Sequence, residues 1–158
     1  MSRLFITADV HGNYSVWQKL LSKLLPDDVL VIAGDFFGNR FPDANNPGYQ
    51  PETLRQEYLD LPNQKYFVYG NCDIPGFFPN QSYGLSFLHD GKQVFVFHGD
   101  SNPPREKYDI VISGHTHVSG IQNLDGALYI NPGSPARPKD EAASYAVYQN
   151  GKAEIIKI

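Results

Sequence analysis

Residues 3–35, which read RLFITADVHGNYSVWQKLLSKLLPDDVLVIAGD, decide the fold that this sequence predicts. The two apolar, β-branched runs at residues 3–8 and 29–33 are typical of strands, and the second is apolar throughout, as in a strand covered on both faces. The segment between them has apolar residues at helical spacing: Trp17, Leu20, Leu21 and Leu24. A strand, a helix and a strand in this order indicate a right-handed β-α-β unit, whose two parallel strands end at the same edge of a sheet.

Polar side chains directly follow the first strands of this pattern. Asp9 and His11 follow the first run, and Gly34-Asp35 closes the second. A third apolar run ends in Gly70-Asn71-Cys72-Asp73. In open α/β sheets the functional site lies outside the carboxyl ends of the strands, so we expect these side chains to meet there.

Two more apolar runs, in the second half of the chain, end in histidines. One follows the hairpin signal Asp90-Gly91 and leads into His98-Gly99-Asp100. The other leads into Gly114-His115-Thr116-His117, whose two histidines are two residues apart and therefore share a face at a strand end. His89 belongs to no such pattern, and we expect it on the surface.

The remaining segments complete an α/β pattern. Residues 36–50 are rich in Asn, Pro, Gly and aromatics, and they form a long loop that is a candidate lid or substrate wall. Residues 52–60 are typical of a short helix, and the tail is strand-like with a hairpin signal at Asn150-Gly151. We therefore predict a single mixed α/β domain over residues 1–158.

Composition and charge exclude some classes of function. The net charge is −4 and the 13 Lys and Arg residues are scattered, which argues against bulk nucleic-acid or membrane-surface binding. The one cysteine, Cys72, excludes an internal disulfide and suits a reducing compartment. No apolar run approaches the ~18 residues of a membrane span, and Met1-Ser2-Arg3 leads into a strand without a signal-peptide layout. We expect a cytoplasmic protein; the sequence allows an oligomer but does not indicate one.

Seven polar residues stand at the strand ends: Asp9, His11, Asp35, Asn71, His98, His115 and His117. They include four of the five histidines, and imidazole is the commonest metal ligand among side chains. Seven mixed oxygen and nitrogen donors exceed the roughly four that one zinc takes, and they suit two metals that share a carboxylate. Two divalent cations would outweigh the two carboxylates, so the site would stay positive and bind a phosphate anion.

Five motifs in a fixed order carry a resemblance to a known family: Asp9-x-His11, Gly34-Asp35, Gly70-Asn71-Cys72-Asp73, His98-Gly99 and Gly114-His115-Thr116-His117. In this order they resemble the calcineurin-like metallophosphoesterase superfamily. With Asn131-Pro132-Gly133-Ser134 added, the chain looks most like the small bacterial and archaeal YfcE-type phosphodiesterases. The resemblance spans from Asp9 to about Arg137, and it implies a four-layer α/β/β/α sandwich of two mixed β-sheets flanked by helices.

The resemblance also implies roles for these residues. One metal would be held by Asp9, His11, Asp35 and His117. The second would be held by Asp35, Asn71, His98 and His115, so that Asp35 bridges the pair. Within this set, Asp35, Asn71 and His98 would also act in catalysis. Both metals would be divalent ions, with Mn²⁺ expected and Fe, Zn, Ni or Mg as alternatives. The expected reaction is hydrolysis of a phosphodiester in a small phosphorylated substrate by a hydroxide that bridges the metals.

Two positions depart from the superfamily pattern. Cys72 stands where many members have a histidine that assists the leaving group, although YfcE-type proteins share this cysteine. A thiol with a pKa of ~8.5 is a poor acid at neutral pH, so we expect a preference for substrates with good leaving groups. Cys72 can alternatively be a small packing residue. Asp100 stands where relatives often have a second histidine, and it would either add negative charge near the phosphate or hydrogen-bond a metal ligand.

A further group of residues is expected around the metal ligands. Asp73 would orient a neighbouring ligand rather than bind metal. Arg40 is equally consistent with a phosphate contact and with a solvated surface residue. The candidates for substrate contacts are Asn13, Arg40, Cys72 and Arg137.

Two alternatives remain open. One is a phosphomonoesterase or a dinucleoside polyphosphate hydrolase; such relatives carry an arginine-bearing segment after the second strand and a histidine at the Cys72 position. Arg40 is an imperfect match to that pattern and Cys72 is no match. The other alternative is a catalytically silent, protein-binding scaffold of the same fold, as in the retromer scaffold subunit. A site that has lost its catalytic function is expected to have lost some of its metal-ligand residues, whereas this sequence keeps a ligand residue at all seven positions.

Overall fold

Two five-stranded sheets packed face to face form the frame of the molecule. The computed structural model describes residues 2–158, so Met1, where the predicted N-terminal layout begins, lies outside the described residues. The elements in chain order are β1 (Leu4–Thr7), α1 (Tyr14–Lys23), β2 (Val29–Ala33), α2 (Pro51–Asp60), β3 (Lys65–Val68), β4 (Gly84–His89), β5 (Lys92–Phe97), β6 (Ile110–Ile112), β7 (Gly120–Leu124), β8 (Ala127–Asn131), β9 (Ser144–Gln149) and β10 (Lys152–Lys157).

The first sheet has the strand order β10-β9-β1-β2-β3. Strands β1, β2 and β3 are parallel, with Leu4 opposite Val29 and Val31 opposite Tyr66. Strand β9 runs antiparallel to β1, and β10 forms a hairpin with β9. The predicted β-α-β unit is therefore confirmed, and the carboxyl ends of the three parallel strands lie at one edge.

The second sheet has the order β4-β5-β6-β8-β7, with β5, β6 and β8 parallel and antiparallel strands at both edges. The hairpin predicted at Asp90-Gly91 is confirmed; both residues have positive φ, at 49° and 78°, as a two-residue type I′ turn requires. The sequence predicted a strand-like tail without separate bounds for β7, which the structure places at Gly120–Leu124. The prediction that His89 lies on the surface is wrong, because its side chain packs against the Tyr148 ring and is only 6% exposed.

Two apolar layers hold the sandwich together, because strand residues alternate between faces. Leu4 and Ile6 of β1 lie between the sheets, in one cluster with Val94 and Ile110 of the second sheet. Phe5 faces the opposite way, into a second cluster that includes both helices. In that cluster the fully buried Trp17 of α1 meets Phe36 edge-to-face at a ring-centroid distance of 4.9 Å.

The predicted α/β sandwich of two mixed sheets is confirmed, and the structure defines its outer layers. Both helices of the described chain pack on the first sheet. On the outer face of the second sheet, Tyr108 packs on Phe95 at a ring-centroid distance of 5.0 Å, within a segment that contains Pro103 and Pro104. Two prolines remove two backbone donors and oppose a helix there. Neither of the ten-residue helices in residues 2–158 is long and apolar enough to cross a membrane.

Candidate metal and phosphate site

The seven residues predicted as metal ligands all follow strand ends at one edge of the sandwich: Asp9 and His11 after β1, Asp35 after β2, Asn71 after β3, His98 after β5, and His115 and His117 after β6. Backbone hydrogen bonds continue beyond the strands and align these loops. The N–H of Asp9 donates to the Gly34 carbonyl at 3.0 Å, that of His11 to the Asp35 carbonyl at 2.9 Å, and that of Gly114 to the His98 carbonyl at 2.8 Å. The structure therefore brings all seven together.

An unusual backbone conformation, rather than strand alternation, directs these side chains. Five of the seven residues have φ between 52° and 74°, in the left-handed region: Asp9, His11, Asp35, His115 and His117. Residues other than glycine adopt this conformation infrequently, and such residues cluster at functional sites. The sequence predicted that His115 and His117 share a strand face, but strand β6 already ends at Ile112. The two side chains instead belong to different halves of the site.

The first half of the site contains Asp9, His11 and His117. The Nδ1–H of His117 donates to the Arg137 carbonyl at 2.7 Å, so Nε2 is the ring nitrogen that faces the centre. This Nε2 lies 3.3 Å from Nε2 of His11 and 3.4 Å from Oδ1 of Asp9. Two imidazole nitrogens and a carboxylate oxygen thus face one small volume.

The second half contains His98, His115 and Asn71, with Asp35 beside them. The Nδ1–H of His98 donates to the Ala33 carbonyl at 2.8 Å, so Nε2 is the ring nitrogen that faces the centre, 3.2 Å from Oδ2 of Asp35. Nδ1 of His115 lies 3.3 Å from Nε2 of His98 and 3.2 Å from Oδ1 of Asn71. Asp35 has ligand atoms within 4.8 Å of both His11 and His98, so it stands between the halves.

The donor set fits divalent metal ions. Asp9 is completely buried, and its Oδ1 has no hydrogen-bond partner within residues 2–158. A buried carboxylate oxygen is costly unless a cation or a hydrogen-bond donor compensates it. No Lys or Arg of the described chain forms an ion pair with Asp9 or Asp35. The nitrogens closest to their carboxylate oxygens are imidazole Nε2 atoms, at 3.2–3.8 Å. Three overlapping groups have ligand atoms within 4.8 Å of each other and could hold an ion: Asp9-His11-His117, Asp9-Asp35-His98 and His11-Asp35-Cys72.

The charges at this centre are strongly coupled. Burial lowers the pKa of His11 to about 4, against the pull of Asp35 and Asp9. Burial also opposes protonation of His98, but its hydrogen bond and charge interaction with Asp35 outweigh burial and raise its pKa to about 9. The Asp9 carboxylate, 3.4 Å from Nε2, raises the pKa of His117. Positive charge is thus favoured beside the two carboxylates, where a divalent cation would supply it.

Asp73 joins the loops of this site through its side chain. Its side chain is 2% exposed and accepts four backbone N–H groups. Oδ2 accepts from Asp35 at 2.8 Å and Gly70 at 2.9 Å, and Oδ1 accepts from Phe37 at 3.1 Å and Gly38 at 3.2 Å. Burial raises its pKa to about 6, so the group is ionised at neutral pH, when it can accept all four bonds. Asp73 therefore fixes the ends of β2 and β3 relative to each other.

Cys72 lies within this site. Its backbone N–H donates to Oδ1 of Asp35 at 2.7 Å, and its sulfur is within 4.8 Å of ligand atoms of His11 and Asp35. Burial, followed by the charge of Asp35, raises the pKa of the Cys72 thiol to about 12. In the metal-free chain the group is therefore a neutral thiol at pH 7 and a poor acid.

The other predicted contacts differ in how the structure uses them. Arg40 donates from Nε and Nη2 to the carbonyls of Asn71 and Asp73, at 3.0 and 3.1 Å, so its guanidinium braces the loop that carries Asn71. Asp100 is exposed and forms no hydrogen bond with the other predicted site residues in the described chain. Asn13 caps α1, because its Oδ1 accepts from the N–H of Val16 at 3.2 Å.

The loop at residues 36–50 forms a wall beside the first half of the site. Two backbone hydrogen bonds join the end of this loop to the chain that follows His11. The N–H of Tyr14 donates to the Gly48 carbonyl at 2.9 Å, and the N–H of Gln50 donates to the Gly12 carbonyl at 2.8 Å. A cavity of about 130 Å³ lies between this loop and the metal ligands, and it is lined by His11, Asn13, Asp43, Asn46, Tyr49, Ala136 and Arg137. The sequence pointed to the loop but not to Asp43, Asn46 or Tyr49, because asparagine-rich loops rarely reveal which side chains turn inward.

Comparison with known proteins agrees with this site. The Escherichia coli (strain K12) protein named phosphodiesterase YfcE is 25% identical over 171 residues, covering 100% of this chain and 93% of its own length. The YfcE structure, titled a phosphoesterase from E. coli, superimposes with a TM-score of 0.74 at 26% identity, over 94% of this chain and 88% of that one. The Bacillus subtilis (strain 168) probable metallophosphoesterase YsnB is 30% identical over 158 residues, covering 91% of this chain and 82% of its own length.

A family model described as the calcineurin-like phosphoesterase superfamily domain matches residues 2–152, which is nearly the whole chain. The members of this superfamily to which the chain is similar are named phosphoesterases, and the candidate ligands gathered at the strand ends suit the divalent metals that the word metallophosphoesterase implies. The chain therefore belongs to the calcineurin-like phosphoesterase superfamily.

Proposed function

We propose that this chain is a dinuclear metal-dependent phosphodiesterase that acts on a small phosphorylated substrate. The observation that carries the proposal is the division of the donors into two groups with Asp35 between them. Asp35 has ligand atoms within 4.8 Å of His11 in one group and His98 in the other. A shared carboxylate between two sets of nitrogen and oxygen donors is what a pair of divalent ions requires.

In this proposal one ion is held by Asp9, His11, His117 and Asp35, and the other by Asp35, Asn71, His98 and His115. The donors are imidazoles, carboxylates and an amide, a set that suits Mn²⁺, with Fe, Zn, Ni and Mg as alternatives. When bound, the two ions would supply Lewis acidity toward the phosphate and a hydroxide from water at neutral pH.

The chain's own residues orient the reaction. Asp9, Asp35 and His98 are buried at the base, whereas Asn71 and His115 are exposed at the rim, so a phosphate would approach from the side of Asn71 and His115. The carbonyls of Ala33 and Arg137 accept from Nδ1 of His98 and His117, so each ring would offer its Nε2 to a bound ion. Asp73 fixes the backbone that carries Asp35, so the base of the site is rigid.

The test is hydrolysis by chelator-stripped protein after Mn²⁺ is added back. An aryl phosphodiester is compared with the matching monoester, for the unchanged chain, for His115→Ala and for the exposed control Asp27→Asn. We expect metal-dependent diester cleavage that exceeds monoester cleavage. We also expect a loss of at least about 100-fold in His115→Ala, because loss of a residue that only supports a metal ligand already costs about 10- to 100-fold.

Two outcomes would contradict the proposal. A clear preference for the monoester would favour the phosphomonoesterase alternative. Folded protein that binds no divalent metal, and that hydrolyses neither ester when such a metal is added, would favour the catalytically silent scaffold. Asp27→Asn must behave as the unchanged chain does, since Asp27 is exposed and outside the site.

Cys72 predicts which esters are cleaved fastest. A neutral thiol gives little help to a departing alkoxide, so diesters with an aryl leaving group should react much faster than those with an alkyl leaving group. We expect Cys72→His to narrow this difference by at least about tenfold, because a histidine near its usual pKa of ~6.5 is an effective general acid. The measurement is the ratio of kcat/KM for an aryl and an alkyl diester in both chains. An unchanged ratio, with Cys72→Ser also unchanged, would assign Cys72 to packing only.

A further inference from the structure

The connection between β8 and β9, residues 132–143, passes beside the first half of the site. Within residues 2–158 it is the segment through which the chain returns from the second sheet to the first. None of the seven predicted metal ligands lies in it. It begins with the end of the motif Asn131-Pro132-Gly133-Ser134, to which the proposed function gives no role. The contacts of Ser134 show what this segment does for the site.

The Ser134 hydroxyl is completely buried and makes three hydrogen bonds. It donates to the backbone carbonyl of Asp9, 125 positions away in the chain, at 2.7 Å. The same oxygen accepts from the backbone N–H of Arg137 at 2.8 Å and from that of Ala136 at 3.3 Å. A serine hydroxyl offers one donor and two acceptor sites, so its full capacity is used here. One side-chain oxygen thus joins the loop after β1 to the β8–β9 connection.

Arg137, whose N–H is held by Ser134, in turn holds His117. The Arg137 carbonyl accepts from Nδ1 of His117 at 2.7 Å, and the N–H of Lys139 donates to the His117 carbonyl at 2.9 Å. On the other side of the imidazole, Nε2 lies 3.4 Å from Oδ1 of Asp9. Asp9 and His117 follow strands of different sheets, and the Ser134 hydroxyl is bonded to the backbone that supports each of them.

The second half of the site has separate supports. Arg40 donates to the Asn71 carbonyl at 3.0 Å, and the N–H of Asp35 donates to Oδ2 of Asp73 at 2.8 Å. Neither bond involves the β8–β9 connection, and Ser134 forms no hydrogen bond with these four residues in the described part of the chain. Loss of the Ser134 hydroxyl should therefore affect the two halves of the site unequally.

We propose that Ser134 is a positioning residue for the metal ion of the first half, because its hydroxyl sets the relative position of Asp9 and His117. The inference rests on the two-metal function proposed above. Removal of a group that only supports metal ligands typically lowers metal affinity by about 10- to 100-fold. Loss of this hydroxyl should therefore weaken the binding of one ion and leave that of the other unchanged.

The test is the binding of Mn²⁺ to chelator-stripped protein, measured as ions bound per chain over a range of free concentrations. In Ser134→Ala, one of the two ions is expected to bind about 10- to 100-fold more weakly than in the unchanged chain. At a concentration that fills only the tighter half, the electron paramagnetic resonance spectrum should show a single uncoupled Mn²⁺. Ser134→Cys, which keeps the shape but offers only a weak donor, replaces Ser134→Ala if that chain does not fold, with a loss in the same direction.

The matched control is Ser144→Ala. Ser144 is also buried, and its hydroxyl donates to the carbonyl of Pro132 in the same connection at 2.8 Å. Both substitutions remove a buried hydroxyl that donates to a backbone carbonyl, so both should lower the Tm of the metal-free chain. Only Ser134→Ala should weaken the binding of one ion. An equal loss of affinity in Ser144→Ala would show that metal binding merely follows stability, and it would overturn the positioning role.

Combined substitutions identify which half is weakened. With His11→Ala, which removes a ligand of the first half, Ser134→Ala should leave one tightly bound ion. With Asn71→Ala, which removes a ligand of the second half, it should leave none. The reverse pattern, or two ions bound by Ser134→Ala as tightly as by the unchanged chain, would overturn the inference and leave the phosphodiesterase function intact. An unchanged chain that binds fewer than two ions would overturn the two-metal function and this inference with it.

Discussion

Asp35→Asn is expected to abolish the metal response of this protein and to lower diester hydrolysis by at least about 1,000-fold. The carboxylate stands between the two groups of donors, and an amide lacks the second anionic oxygen needed to bridge two cations. Metal that binds only the folded state at a free concentration of 100 Kd stabilises it by about 2.7 kcal/mol per site. For a chain of this size that corresponds to a rise in Tm of roughly 5–10 °C.

The measurement compares Tm with and without Mn²⁺ for the unchanged chain, for Asp35→Asn and for the exposed control Asp27→Asn. Without metal, Asp35→Asn is expected to lower Tm, because it removes the carboxylate that lies 3.2 Å from the buried His98 imidazole. The quantity compared is therefore the rise in Tm that Mn²⁺ causes in each chain. An Asp35→Asn chain with the full metal-induced rise in Tm would show that Asp35 does not bind the metals.

Asp73→Asn is expected to destabilise the fold by about 3 kcal/mol, with or without metal. The carboxylate accepts four backbone N–H groups, from Asp35, Phe37, Gly38 and Gly70. An asparagine can accept with one oxygen only, and its NH₂ group would face two of the N–H donors and leave them unsatisfied. For a chain of 158 residues this loss lowers Tm by roughly 6–12 °C.

The control for this substitution is Asp60→Asn, on the exposed end of α2, which should change the free energy of unfolding by less than about 0.5 kcal/mol. Denaturant unfolding of metal-free protein separates the effect from metal binding. An Asp73→Asn chain with unchanged stability would show that the four N–H groups find other partners, and that Asp73 does not hold the strand ends together.

Much of the fold follows from local sequence patterns. The β-α-β unit was predictable because the runs around Trp17 have strand and helix periodicities, and the Asp90-Gly91 hairpin because its turn requires residues that accept positive φ. The bounds of strand β7 could not be predicted, because Gly120, Gln122 and Asn123 have weak strand propensity. These residues form a strand only through pairing with β8. His89 was misplaced because its burial depends on Tyr148, which is 59 positions away in the chain.

The composition of the site could also be predicted, but its geometry could not. Strand ends at one edge identified the residues that meet there. The left-handed conformations of Asp35, His115 and His117, which aim the side chains, have no local sequence signal, since these residue types also occur in ordinary loops. The bracing of the Asn71 loop by Arg40, and the isolation of Asp100, both depend on how loops from different strands pack.

The number of metal ions per chain tests the central claim most directly. Chelator-stripped protein is dialysed against Mn²⁺ at a fixed free concentration, and bound metal and protein are quantified in the same sample. The two-metal account predicts two Mn²⁺ ions per chain at saturation, with magnetic coupling between them in the electron paramagnetic resonance spectrum because they share Asp35. Saturation at one uncoupled ion per chain, or no binding by folded protein, would contradict it.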